Sequence, residues 1–209
     1  MRYKHIVFDL DGTLIDTERA ILPSLRDTLE ELTGRHYEEQ ALTFALGITG
    51  ADALERLGIA DIPTALSLWN EKMHRYENSV SLFGGVAEAL TKLWKQGLVL
   101  GIVTSKTREE FAHDFSRFGI GSYFQTVVCA EDTVEHKPSP APLLKYMELS
   151  GAHREKALYV GDSIYDSQCA HAAGVDFALA LWGTHDPAIP AQHRIQIPGH
   201  LLALSGGRK

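Results

Sequence analysis

Two aspartates one residue apart, Asp9 and Asp11, end the apolar run Ile6-Val7-Phe8 and are followed at once by Gly12. In an extended strand alternate side chains share a face, so both carboxylates begin on one side before the glycine lets the backbone leave. Paired carboxylates repel, and this is tolerated mainly where a cation sits between them or one keeps its proton. Either arrangement serves an enzyme; the alternative is an acidic surface turn that caps the next element. Further polar groups stand at Thr104-Ser105-Lys106, at Glu135-His136-Lys137-Pro138, and at Gly161-Asp162-Ser163, with Asp166 close behind. An oxygen nucleophile, hard oxygen ligands for magnesium, and neutral and cationic donors for phosphoryl oxygens are the needs of phosphoryl transfer.

The elements between these residues place each group at a strand end. Asp16 or Thr17 can start a helix through about residue 32, closed by Gly34, with Ile21, Leu22, Leu25, Leu29 and Leu32 at helical spacing. Helical text continues over 37–46, 51–57 and 62–78, broken at Gly47, Gly50, Gly58 and Pro63, and nothing from 17 to 79 reads as a strand. Beyond Phe83-Gly84-Gly85 the pattern alternates. Helices are expected at 86–96, 108–118, 141–150 and 164–173, and strands at 98–104, 124–129, 156–160 and, as the last, 176–181. The tail, with Pro187, Pro190 and Pro198, reads as a surface excursion closed by a short helix near 200–204. Such alternation predicts an α/β fold with a parallel sheet, right-handed crossovers and helices on both faces. Its ligand site should lie beyond the carboxyl ends of the strands, where the strand order reverses.

The 209 residues are 44% apolar and 22% charged, without repeats, which allows one large domain or one domain with a modest insertion. A net charge of −7 without any basic stripe argues against nucleic acid as a partner. A small anionic substrate stays open, because a divalent cation reverses the local sign of an acidic site. Cys129 and Cys169 lie far apart and read as buried, inert thiols. The histidines offer no i,i+4 ligand pair and no triad, so His113, His136, His171 and His185 are expected at the surface. The tryptophans read as core or domain-contact residues. Arg2-Tyr3-Lys4 runs directly into the first strand and no apolar run approaches a membrane span, so a soluble, cytoplasmic chain with no membrane partner is expected, monomeric or homodimeric.

The ordered set resembles the haloacid dehalogenase superfamily in its phosphatase branch. Asp9-Leu10-Asp11-Gly12-Thr13 matches the first motif, Thr104 the second, Lys137 the third, and Gly161-Asp162 with Asp166 the fourth, across the full chain. The resemblance implies a Rossmann-like core at 1–16 and 83–209 and a helical cap domain at 17–82, with hinge strands at 14–16 and 81–85. It implies that Asp9 is a nucleophile forming an aspartyl-phosphate and that Asp11 is the general acid and base. Mg2+ would be held by Asp9, the Asp11 carbonyl and Asp162. Phosphate would be bound by Gly12, Thr104, Ser105 and Lys137, and Asp166 would orient Lys137 or a metal-bound water. Each has a plainer reading: Thr104 and Ser105 as helix caps, Lys137 as a solvated lysine, Asp166 as a helix-start residue.

The cap loop Leu46-Gly47-Ile48-Thr49-Gly50 resembles the substrate loop of phosphoglycolate phosphatases, which makes Gly47 and Thr49 substrate-loop candidates; a plain interhelical turn is the alternative. The implied partner is a small phosphorylated metabolite, with phosphoglycolate first and pyrophosphate or sugar and nucleotide monophosphates behind. A β-phosphoglucomutase-like enzyme is the nearest rival, but its Arg-Gly-x-x-Arg cap loop and Glu-Asp pair are missing here. Phosphonoacetaldehyde hydrolysis would require a cap lysine, for which Lys72 is the only candidate, and dehalogenation would leave Asp11 without a purpose. A receiver-like phosphorylation switch would carry similar acidic groups but lacks a helical insertion after them.

Overall fold

The computed structural model describes residues 2–205. The chain opens with β1 (His5–Phe8) and a tight turn to β2 (Ile15–Asp16). A helical insertion follows: α1 (Glu18–Thr33), α2 (Glu39–Leu42), α3 (Gly50–Arg56) and α4 (Ile62–Met73), then a 3-10 stretch His74–Ser79 and β3 (Ser81–Leu82). The alternating part runs α5 (Val86–Lys95), β4 (Val99–Val103), α6 (Arg108–Phe115), β5 (Phe124–Val128), α7 (Ala141–Ser150), β6 (Ala157–Gly161), α8 (Ile164–Ala173) and β7 (Asp176–Ala180). The chain then adds β8 (His193–Ile195) and α9 (Leu201–Ser205).

Six strands form one parallel sheet in the order β5-β4-β1-β6-β7-β8. The order reverses beside β1, so the crevice beyond β1 and β6 is the switch point of a doubly wound α/β sheet. Strand parity sorts the core into two layers. Ile6, Phe8, Leu100, Ile102, Leu158 and Val160 face α5, α6 and α9, whereas Val7, Val103, Tyr159 and Phe177 face α7 and α8. Asp9 continues the odd-numbered series, which aims it toward Lys137 and α8.

The insertion holds its own apolar cluster, including Leu25, Leu29, Leu54, Ala65 and Trp69, and is joined to the sheet through the antiparallel β2–β3 pair. Gly34, with φ +67°, closes α1 as expected. Among the described residues no strand lies between 17 and 79, and no helix is long and apolar enough to cross a membrane.

Three expectations need correction. The last strand is β8, not β7: its text His193-Arg194-Ile195 carries no apolar run, and edge pairing with Ala178–Ala180 makes it a strand. The tail is anchored, with Ile189, Ile195 and Leu201 all buried. Trp94 stands half exposed on α5, whereas Trp69 is buried with its Nε1–H donating to Ser24 Oγ at 2.9 Å. Both cysteines are buried and free.

Two histidines open strands of the sheet, His5 on β1 and His193 on β8, where burial works against their charge. Burial, helped by Lys4, holds His5 below its ordinary value of 6.5, and burial with Arg2 does the same to His193 against the pull of Asp176. Both stay neutral in the folded chain at pH values where the unfolded chain protonates them. Their contribution to stability is therefore present above about pH 6.5 and is lost as pH falls toward the depressed folded values. Thermal unfolding from pH 7.5 down to about 5.5 should show a smaller loss of Tm in a His5→Gln/His193→Gln variant than in the wild type. Parallel curves would contradict this.

Candidate active site

The turn after β1 is shaped by Gly12, whose φ of +74° suits glycine. A Cβ there would lie 2.3 Å from Asp162 Oδ2, so glycine also lets Asp162 approach the turn. Thr13 Oγ1 donates to Asp162 Oδ1 at 2.8 Å and fixes the approaching carboxylate. The Gly12 amide itself donates to the Ile15 carbonyl at 2.8 Å. This corrects its expected part as a phosphate donor: Gly12 contributes backbone shape and space.

Asp9, at 2% exposure, follows β1 directly, and its amide donates to Val160 O at 2.8 Å, locking it against β6. Lys137 Nζ lies 2.9 Å from Asp9 Oδ1 and 2.8 Å from Asp166 Oδ1, and the lysine is 3% exposed, so it is not a solvated side chain. Asp166 acts at both ends of its carboxylate. Oδ2 accepts from the Ser163 amide at 3.0 Å and completes a capping box at the start of α8, while Oδ1 receives Lys137 and lies 2.9 Å from the Tyr159 hydroxyl. The helix-start reading and the lysine-orienting reading of Asp166 therefore describe the same side chain.

Thr104 and Ser105 are not the caps of α6. Thr107 takes that position, in a capping box with Glu110. Thr104 is buried after β4, and Ser105 Oγ donates to the Gly47 carbonyl at 3.0 Å, tying this strand end to the insertion. Gly47, at φ +90°, sits so close to Ser163 that a Cβ would meet Ser163 Oγ at 2.8 Å. Thr49 is turned the other way: its hydroxyl accepts from the Asp52 amide at 3.1 Å as the cap of α3, and the cavity wall here is formed by Gly47, Ile48 and Gly50.

Asp11 stands apart from the Asp9 cluster. Thr17 Oγ1 donates to Asp11 Oδ1 at 2.7 Å instead of capping α1, and Lys106 Nζ lies 3.4 Å from the same oxygen and 2.8 Å from Asp114 Oδ2. The sequence assigns no role to Lys106 or Tyr159, and to Thr17 only that of a helix start. Lys106 alone left a signal there, as the residue following Thr104-Ser105. A cavity of about 180 Å3 opens between the sheet end and the insertion, with Asp9 and Asp11 facing Ile48, Leu66, Trp69 and Met73. Lys72 is outside it, buried and paired with Glu31 at 2.5 Å.

The electrostatics are unequal across the site. Burial first, then the Asp166 charge, pushes the Asp9 carboxyl up, and burial with Asp166 and Asp9 does the same to Asp162. Burial opposes the Lys137 charge, yet Asp166 and Asp9 keep it protonated. Burial also raises Asp11, against the counter-pull of Lys106 and Thr17. Asp9, Asp162 and Asp166 offer carboxylate oxygens within 4.8 Å of one another. Lys137 pairs with Asp9 and Asp166 but not with Asp162, so hard oxygen donors outnumber the ammonium groups in this cluster. These residues fit a divalent cation of the magnesium type. Asp166 is the least available donor, because Lys137, Tyr159 and Ser163 already occupy its oxygens.

Residues 6–180 match the family model of the haloacid dehalogenase-like hydrolases. The chain belongs to this family. Among its relatives are the pyrophosphatase PpaX of Halalkalibacterium halodurans, 32% identical over 86% of this chain and 84% of that one, and a phosphoglycolate phosphatase of Aquifex aeolicus, 35% identical over 85% and 84%. A solved Lactobacillus plantarum structure, provisionally named a phosphoglycolate phosphatase, superposes with a TM-score of 0.89 at 30% identity, covering 98% of this chain and all of the other. This haloacid dehalogenase-like hydrolase is thus an enzyme with the family's parallel-sheet fold, and its relatives are phosphatases.

Proposed function

We propose that this hydrolase is a magnesium-dependent phosphatase that removes phosphate from a small monoester through an aspartyl-phosphate on Asp9. The observation that carries the reading is the buried Lys137 bridging Asp9 and Asp166 beside Asp162, at the base of the cavity. Lys137 holds Asp9 Oδ1, which orients the second carboxylate oxygen, Oδ2, for in-line attack on phosphorus. As the Asp9 O–P bond forms, the bond from phosphorus to the ester oxygen breaks, and Asp11 gives that oxygen its proton. Asp11, now a carboxylate, takes a proton from water, whose oxygen attacks phosphorus and releases phosphate with Asp9 regenerated. Thr104, the Ser105 amide and Lys137 donate to the phosphoryl oxygens throughout. Mg2+, held by Asp9, the Asp11 carbonyl and Asp162, would neutralise charge on the transferred group.

Residues 17–82 serve as a cap domain over a core of 1–16 and 83–209, excluding water while the intermediate exists. Short leaving groups suit the cavity, so phosphoglycolate comes first and pyrophosphate second, with Lys106 placed to meet a second anionic group. Transfer to a sugar is disfavoured because no arginine is found among the described residues lining the cavity.

The experiment that tests the reading is hydrolysis of p-nitrophenyl phosphate and a panel of phosphorylated metabolites, with and without Mg2+. No turnover across the panel would reject it. Asp11→Asn should lower kcat by about 10²–10⁴-fold. Rapid-quench single turnovers should show both formation and breakdown of the phosphoryl-enzyme slowed, and wild-type rates for either step would remove Asp11 from its acid and base role.

A further inference from the structure

At the cavity mouth, away from the Asp9 cluster, three side chains from two parts of the fold meet. His74 and Glu77 lie on the 3-10 stretch that leaves the insertion, and His113 lies on α6 beside the sheet. Their ligand atoms all fall within 4.8 Å of one another. The two imidazoles stand edge to face with centroids 4.6 Å apart, and His113 Nε2 is 4.0 Å from Glu77 Oε2. That last separation is too long for a hydrogen bond. It is within an ångström of the about 3.4 Å between ligands of a tetrahedral ion with bonds of about 2.0–2.1 Å.

A second observation points to a ligand. Asp114 Oδ1 sits 2.9 Å from His113 Nδ1. A carboxylate on Nδ1 fixes the imidazole as the Nδ1–H tautomer and leaves the Nε2 lone pair facing Glu77 and His74, the outer arrangement that metal-ligating histidines use. The Asp114 carboxylate is held in place from its other oxygen, Oδ2, by Lys106 Nζ at 2.8 Å. Two nitrogens and one oxygen select a borderline transition ion such as Zn2+ over Mg2+, so this donor set differs in kind from the Asp9 cluster.

We propose that His74, Glu77 and His113 form a zinc-type site that clamps the insertion to the sheet domain. Two ligands move with the insertion and one with the sheet, so a bound ion ties the two together and resists opening at the β2–β3 hinge. The site also reaches the chemistry: His113 contacts Asp114, which pairs with Lys106 at 2.8 Å, which in turn lies 3.4 Å from Asp11. Occupancy would therefore slow turnover by holding the cavity closed.

The test is Zn2+ titration of the full chain by calorimetry in excess Mg2+, made in an Asp162→Asn background so that the Asp9 cluster does not contribute. One Zn2+ per chain is expected, with affinity lowered at least about tenfold in His113→Ala, in His74→Ala and in the milder Glu77→Gln. Co2+ should give visible bands of a four- or five-coordinate nitrogen-oxygen site that the same variants lose. Absence of Zn2+ binding, or binding unchanged in the His74→Ala/His113→Ala chain, would overturn the site. Hydrogen exchange at residues 15–16 and 81–82 should slow when Zn2+ binds; an unchanged rate with Zn2+ bound would overturn the clamp. Neither readout depends on which ester the enzyme hydrolyses.

Discussion

Asp9→Asn is expected to lower kcat by on the order of 10⁴-fold or more while the protein stays folded. Asparagine keeps the shape of the side chain and an oxygen for Lys137, so the hydrogen bond at 2.9 Å survives. What disappears is the nucleophilic oxygen anion, and no phosphoryl-enzyme should be trapped by acid quench. Folding should not suffer, because burial and Asp166 already push Asp9 toward its neutral form. A neutral amide removes one of three crowded carboxylates, so the metal-free variant should unfold at a Tm equal to or above that of the wild type. Mg2+ should stabilise the variant less than the wild type, since a carboxylate ligand has been removed. Turnover within an order of magnitude of wild type would rule out Asp9 as the nucleophile.

Lys137→Ala should be the most destabilising single change in the site. The Lys137 side chain is 1% exposed and is the only ammonium within hydrogen-bonding distance of Asp9 and Asp166 among the described residues. Removing one member of a buried ion cluster costs about 3–5 kcal/mol because the remaining charges stay desolvated. For a chain of this size that corresponds to a fall of roughly 10 °C in Tm. Lys137 pulls the raised Asp9 and Asp162 carboxyls down, so without it both rise further above their unfolded values. The deficit is therefore smallest at low pH, where both states are protonated, and grows as pH rises through the folded values. A Lys137→Met/Asp166→Asn variant should recover most of the Tm, since both partners become neutral, yet remain inactive for want of a donor to the phosphoryl group. Recovery of activity along with stability would show that Lys137 matters only as a counter-charge. Differential scanning calorimetry and p-nitrophenyl phosphate turnover separate the two outcomes.

Much of the fold was readable because strands buried on both faces leave continuous apolar text and their helices end at glycines. The strand ends carried the site for the same reason, and Asp9, Asp162, Asp166 and Lys137 converge where the alternation says they should. Features that depend on tertiary contact were not readable. β8 exists because β7 offers an edge, not because His193-Arg194-Ile195 prefers to be extended. The Gly12 amide could have faced a phosphate, but the chain returns at Ile15 and takes it. Thr17 stands where a helix cap belongs, yet its hydroxyl is drawn to Asp11. His74 and His113 are separated by β3, α5 and β4, so no spacing rule unites them. Lys106 follows Thr104-Ser105 in plain view, but only the packing of α6 shows that it spans Asp11 and Asp114.

The separate apolar cluster of the insertion has a consequence for descent. None of the ten fully buried residues in that cluster comes from the sheet, and the two parts are joined by strands of two residues each. Ile48 and Leu66 line the cavity and pack within the cluster of the insertion, whereas Met73 also packs against the sheet core; Asp9, Lys137 and Asp166 belong to neither apolar cluster. Under the proposed function, chemistry and selectivity would sit on separate parts of the chain. Relatives about one-third identical to this chain bear the names of different phosphatases, a pyrophosphatase and a phosphoglycolate phosphatase.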